Sequence, residues 1–126
     1  MRTAHDLVEL ARPQIHEVQL SEAQAAINAA DVLIDVREPD EYANGHIPGA
    51  INIPRGVLEF KLTATPELAA RDLQLFIYCK TSGRAALAAL SLKEMGYLKV
   101  SSLAGGFDAW SAAEMPIAKP ASIDFD

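Results

Sequence analysis

A parallel α/β sheet with helices on both faces is the fold class this sequence predicts, and three observations lead to it. Short apolar runs at residues 32–36, 50–53 and 73–78 and a strand-like stretch at 98–103 are separated by helical stretches, and strands that alternate with helices pair in parallel through crossovers. The run 32–36 is interrupted only by Asp35, as suits a strand covered on both faces. The run 73–78 leads into the single cysteine of the chain and then, after a short polar loop, into the alanine-rich stretch 85–92. Ligands of such sheets bind beyond the carboxyl ends of the strands. With a strand at 15–20 added, the sheet is expected to have five mainly parallel strands.

Taken in order, residues 3–11 carry Ala4, Leu7, Val8, Leu10 and Ala11 at helical spacing, and Pro13 ends the run. Residues 1–15 are read as a helical extension that packs on the domain without entering its core. Residues 15–20 alternate as a short strand does, and Ser21 with Gln24 predicts a capping-box start for a helix over 22–30. The strand at 32–36 is expected to be central. Pro39 suits the first turn of a short helix, and 45–49 is dense in turn residues. After the strand at 50–53, residues 54–56 break the chain direction. Val57, Leu58, Phe60 and Leu62 then have the spacing of a short helix or ordered loop.

Pro66 opens a segment over 67–71 that leads into the strand before the cysteine. Residues 84–95 form a strong helical run closed by Gly96 at the C-cap. A strand at 98–103, a turn at Gly105-Gly106 and a last helix over 107–114, stopped by Pro116, complete a domain at 16–117. Residues 118–126 are polar and acidic, a tail expected to be loosely held.

With 126 residues the chain is long enough to bury one core without staples. A single cysteine excludes an internal disulfide, and His5, His16 and His46 are too scattered for a metal site. Neither metal nor cofactor is expected. Asp6, Glu9, Arg12 and Glu17 interrupt the first apolar positions, so a signal peptide and a membrane span are not expected, and the default compartment is the cytoplasm. A formal net charge of -6 argues against nucleic acid, whose phosphates demand a basic face.

That acidic background makes the loop Cys79-Lys80-Thr81-Ser82-Gly83-Arg84 stand out. A cysteine between a strand end and a helix start faces unpaired backbone N–H groups, and closure at Ser82-Gly83 would gather them into an anion-holding nest. Lys80 and Arg84 add two positive charges. The expected thiol pKa is below the free value of about 8.5, which makes Cys79 a nucleophile. The competing reading, a core cysteine at a strand end, does not call for the polar, cationic residues that follow it.

Asp35 and Arg37, at a strand end, are read as structural support, paired with each other or with loop backbone. His46 is assigned a hydrogen bond within its turn, and Trp110 a place in the core. Arg55, between Pro54 and Gly56 after a strand end, is expected to line the mouth of the cysteine pocket.

Three stretches in register resemble the rhodanese-like (sulfurtransferase) domain. They are Asp35-Val36-Arg37-Glu38-Pro39-Asp40-Glu41-Tyr42 through Gly45-His46-Ile47-Pro48-Gly49-Ala50, the Cys79 to Arg84 loop, and Gly105-Gly106-Phe107-Asp108-Ala109-Trp110. The resemblance covers residues 16–116. It implies a five-stranded sheet and a persulfide mechanism, in which Cys79 takes a sulfane sulfur from a small anionic donor such as thiosulfate. The sulfur then passes to a thiol or cyanide acceptor, or to a sulfur-relay protein. Backbone N–H groups of Lys80, Thr81, Ser82, Gly83 and Arg84 would hold the persulfide, with Lys80 and Arg84 orienting the donor.

Two positions depart from the family pattern: Ser82 stands where many single-domain members have glycine, which follows here at Gly83, and Ala85 replaces a hydroxyl residue. Two other classes remain open, a rhodanese-like binding module and a cysteine-dependent phosphatase or arsenate reductase. Idle modules of this type typically lose the cysteine. Phosphatase loops place five residues between cysteine and arginine, whereas four intervene here, a ring better sized for one sulfur atom than for a tetrahedral oxyanion.

Overall fold

The computed structural model describes residues 1–120. Helix α1 (Ala4–Ala11) starts at Thr3, whose side chain accepts from Asp6 N–H while the Asp6 carboxylate accepts from Thr3 N–H, a reciprocal cap. A 3-10 turn over Arg12–Gln14 leads into β1 (His16–Val18) and α2 (Leu20–Ala29). Then follow β2 (Val32–Asp35), α3 (Pro39–Ala43), β3 (Ile51–Asn52) and α4 (Leu58–Ala64). The chain ends with β4 (Gln74–Tyr78), α5 (Gly83–Glu94), β5 (Lys99–Leu103) and α6 (Gly106–Ala112).

The five strands form one sheet in the order β1-β5-β4-β2-β3, and every pairing is parallel. β4 shows why both faces are covered. Leu75, Ile77 and Cys79 point into one core with Leu58 and Leu62 of α4 and Leu92 of α5. Phe76 and Tyr78 point into the other with Ala23 of α2 and Trp110 of α6. A two-residue period over a continuous apolar run requires apolar cover on each side, and crossover helices provide it.

Two expectations need correction. The helix after β1 starts at Leu20, with Gln19 at its cap and no side-chain capping bond, so Ser21 and Gln24 form no capping box. Gln24 Nε2 donates instead to Asn28 Oδ1, its neighbour one turn along. The strand at 32–36 is interior as expected, with β2 paired to β4 on one side and β3 on the other, while β4 takes the middle place of the five. The first residue of the tail is held, since Ala118 and His46 exchange backbone hydrogen bonds of 2.8 and 2.9 Å; residues 121–126 lie outside the described residues.

Helix α1 packs along α5, with Val8 and Ala11 buried. A β-carbon on Gly83, at the start of α5, would be 3.5 Å from Val8 Cγ2. This contact sets α1 against the loop that carries the cysteine.

Candidate active site

Cys79 follows the last residue of the central strand and precedes α5, at the carboxyl edge of the sheet. It is 1% exposed. Ala85 N–H donates to Cys79 Sγ at 3.3 Å, and the backbone N–H groups of Arg84 and Thr81 also act on the sulfur. The sulfur thus meets one N–H group of the first turn of α5 within hydrogen-bond distance, with those of Arg84 and Thr81 favouring its charged form.

The expectation of a thiol below its ordinary pKa does not hold for this resting loop. Burial pushes the Cys79 thiol up, and the opposing N–H groups and the Arg84 charge do not outweigh it. Alkylation of the intact protein by iodoacetamide is accordingly expected to keep accelerating through pH 9 instead of levelling off below the free-thiol value of about 8.5. A plateau reached by pH 8 would reverse that assignment.

The positive charges beside the loop are also less free than the sequence implies. Arg84 forms a two-pronged pair with Glu41 of α3 (2.8 and 3.0 Å), and Lys80 Nζ lies 2.8 Å from Asp108 of α6. The Arg84 hydrogen bonds, against burial, hold the Glu41 carboxyl at about 2. Glu41 also accepts from Glu38 N–H at 3.0 Å, which closes the first turn of α3. With its folded pKa depressed, Glu41 contributes stability above its unfolded value, about 4.3, and that contribution is lost as pH falls through about 2. Because the pair is partly exposed, we expect about 1 kcal/mol. Urea unfolding compared at pH 5 and pH 2.5 should show a smaller acid loss in Glu41→Gln than in the native chain; equal losses would count against the pair.

Beside the sulfur lies a cavity of about 440 Å3, with Cys79, Thr81, Ser82, Gly83, Arg84 and Leu87 among its lining residues. Its other wall is α1: Ala4, His5 and Val8 line it, with Arg12 just beyond. Arg12 Nη2 donates to Ser82 Oγ at 2.9 Å while its Nη1 pairs with Glu9. So the Ser82 that departs from the family pattern does not cap α5 with its hydroxyl; it accepts from α1's end. A larger cavity, about 580 Å3, runs along α2 to Gln74 and Lys99, the first residues of β4 and β5. It lies toward the amino edge of the sheet, away from Cys79, and α/β ligands bind at the carboxyl edge.

The remaining candidates fall outside the cavity wall. Arg55 Nη1 binds Glu59 at 2.8 Å, Glu59 in turn accepts from Ser91 of α5, and Arg55 does not line the cavity. Asp35 and Arg37 form a buried pair at 2.7 Å, and Arg37 Nη2 also donates to Gly45 O at 2.6 Å. His46 Nδ1 lies 3.1 Å from Tyr42 O and its ring stacks on Tyr42. Trp110 is buried and donates to Pro116 O.

Sequence reading misses three contributors: α1 as a wall, Glu41 and Asp108 as counter-charges, and Gly106. Phe107 N–H and Asp108 N–H, at the start of α6, donate to Cys79 O and Lys80 O at 2.8 and 2.9 Å. The start of α6 thus grips the loop backbone. A double glycine before a helix is the one local signal of such a close approach; Arg12 lies 70 residues from Ser82 and offers none.

The rhodanese-like domain model matches residues 19–113. The chain belongs to that family. It is 34% identical over 99 residues to a sulfurtransferase of Allochromatium vinosum, covering 78% of this chain and 89% of that protein. It is 35% identical over 89 residues to the thiosulfate sulfurtransferase GlpE of Stutzerimonas stutzeri, covering 71% of this chain and 78% of the relative. Among solved structures, a Rhodopseudomonas palustris protein of unknown function, described as a possible tyrosine phosphatase, superposes with a TM-score of 0.85 at 32% identity. That match covers 94% of this chain and 96% of the other. Among the described residues no helix is long and apolar enough to cross a membrane.

Proposed function

We propose that this rhodanese-like domain is a sulfurtransferase that carries a sulfane sulfur on Cys79 as a persulfide. The observation that supports it most is the buried sulfur at the end of the central strand, met by Ala85 N–H at 3.3 Å and open to a lined cavity. No general base stands within the hydrogen-bond set of the sulfur. The loop supplies fixed donors, which favour the anionic form once it is made.

In the loading step Cys79 gives its proton to solvent and the thiolate attacks the outer sulfur of the donor. A new Sγ–S bond forms, the donor's S–S bond breaks, and with thiosulfate the bonding pair leaves on sulfite. The terminal persulfide sulfur carries the negative charge, one atom further into the nest. In the second step a thiolate or cyanide takes that sulfur and returns Cys79 as thiolate. Lys80 and Arg84, tethered by Asp108 and Glu41, shape the loop and moderate its charge.

The test is mass measurement. Protein mixed with thiosulfate and desalted is expected to gain one sulfur atom, to lose it to cyanide with release of thiocyanate, and to show no gain as Cys79→Ser. Gain by Cys79→Ser would overturn the site. Hydrolysis of p-nitrophenyl phosphate without sulfur gain would favour the phosphatase reading instead.

A further inference from the structure

Three cations stand around the cysteine loop, and each is already paired with a carboxylate: Arg84 with Glu41, Lys80 with Asp108, and Arg12 with Glu9. The site therefore offers little surplus charge to a dianion. The cavity, meanwhile, is larger than thiosulfate needs. At about 30 Å3 for each water-sized group, five heavy atoms take at most about 150 Å3, against a cavity of about 440 Å3. Cavities of several hundred Å3 with apolar walls and a few placed polar groups are the usual form of sites for organic ligands.

The apolar part of this cavity is well defined. Ala4 and Val8 of α1 and Leu87 of α5 line it together with the cysteine loop. Among the described residues no carboxylate belongs to the lining, and its ionisable members are His5, Arg12, Cys79 and Arg84. Arg12, bonded to Ser82 Oγ, fixes the end of α1 to the loop, so the apolar wall is held beside the nucleophile.

Resting on the sulfurtransferase reading, we infer that α1 is the specificity wall of the donor site. The cavity takes a monoanionic sulfane-sulfur donor with an apolar organic group, which sits between Val8 and Leu87 with its outer sulfur at Cys79. An organic thiosulfonate has this chemistry. The Cys79 thiolate attacks its outer sulfur, the S–S bond breaks, and an organic sulfinate leaves with the bonding pair; one negative charge remains on the persulfide and one departs with the sulfinate. Val8 acts on specificity through contact with the organic group, and Arg12 is a positioning residue.

The experiment compares benzenethiosulfonate with thiosulfate as donors to the full chain, reading the sulfur gain of Cys79 by mass and the kcat/KM of each donor with cyanide as acceptor. The expected result is a preference of about tenfold or more for benzenethiosulfonate, the size a buried apolar group provides. Val8→Thr, nearly equal in volume, should narrow that preference severalfold. Ala4→Glu, an exposed change at the first turn of α1, should narrow it too by placing a negative charge at the cavity edge. Thermal melting of both variants reports whether α1 still docks, and the comparison is made on variants that melt like the native chain.

Sulfur gain from both donors without a benzenethiosulfonate preference would overturn the specificity wall while leaving sulfur transfer intact. So would a preference that neither variant changes. Absence of sulfur gain from either donor, with Cys79 reduced, would overturn the sulfurtransferase reading itself and the inference with it.

Discussion

Gly106→Ala is expected to destabilise the domain by about 3–5 kcal/mol, combining lost hydrogen bonds, overpacking and backbone strain, and to slow sulfur loading by about 100-fold in the protein that remains folded. Gly106 has φ 58°, a left-handed conformation that favours glycine. A β-carbon there would fall 2.5 Å from Cys79 O and 2.8 Å from Lys80 C, and against Thr81 O as well. These are backbone atoms and cannot rotate aside. The loop or the start of α6 must move, breaking the bonds from Phe107 N–H and Asp108 N–H to the loop carbonyls. Urea unfolding and a loading time course check both effects; native-like values of each would show that α6 does not hold the loop.

Arg37→Met should be comparably severe, about 3–5 kcal/mol, because removing one partner of a buried ion pair leaves the other charge without compensation. Asp35 is fully buried, and Arg37 supplies it with Nε, Nη2 and its own backbone N–H at 2.7–3.1 Å. Burial works against the guanidinium charge, yet the Asp35 hydrogen bonds hold Arg37 above its ordinary pKa. The same side chain joins three elements, reaching Gly45 O in the turn after α3 and lying 4.3 Å from the centre of the Phe107 ring of α6. The double variant Asp35→Leu with Arg37→Met should lose less than the sum of the two single changes, since it removes both charges. Additive losses in urea unfolding would show that the pair is not coupled.

The sheet and the place of Cys79 in it were legible in the sequence because both rest on local patterns. Residues 75–78 form an unbroken apolar run, and a two-residue period imposes cover on both faces wherever neither is polar. Cys79 follows that run and precedes a strong helix former, so its place at a strand end over a helix start needed only chain order. The pairing of Asp35 with Arg37 lies two residues apart and was equally near to hand. By contrast, the capping box expected at Ser21 gave way to a start at Leu20, since a cap's few tenths to 2 kcal/mol is readily overruled by packing.

What only the tertiary structure decided is the electrostatic state of the site and its shape. Glu41 reaches Arg84 from 43 residues away and Asp108 reaches Lys80 from 28; chain order shows the cations but not the carboxylates that meet them. Desolvation of Cys79 depends on how α4 and α5 pack over this face of the sheet, which is why a thiol expected to be acidic is instead pushed up. The sequence by itself determined a parallel sheet with its one cysteine at the carboxyl edge. Folding determined that this cysteine sits beside a wall supplied by the first helix, because contacts such as Arg12 to Ser82 join residues that share no local pattern.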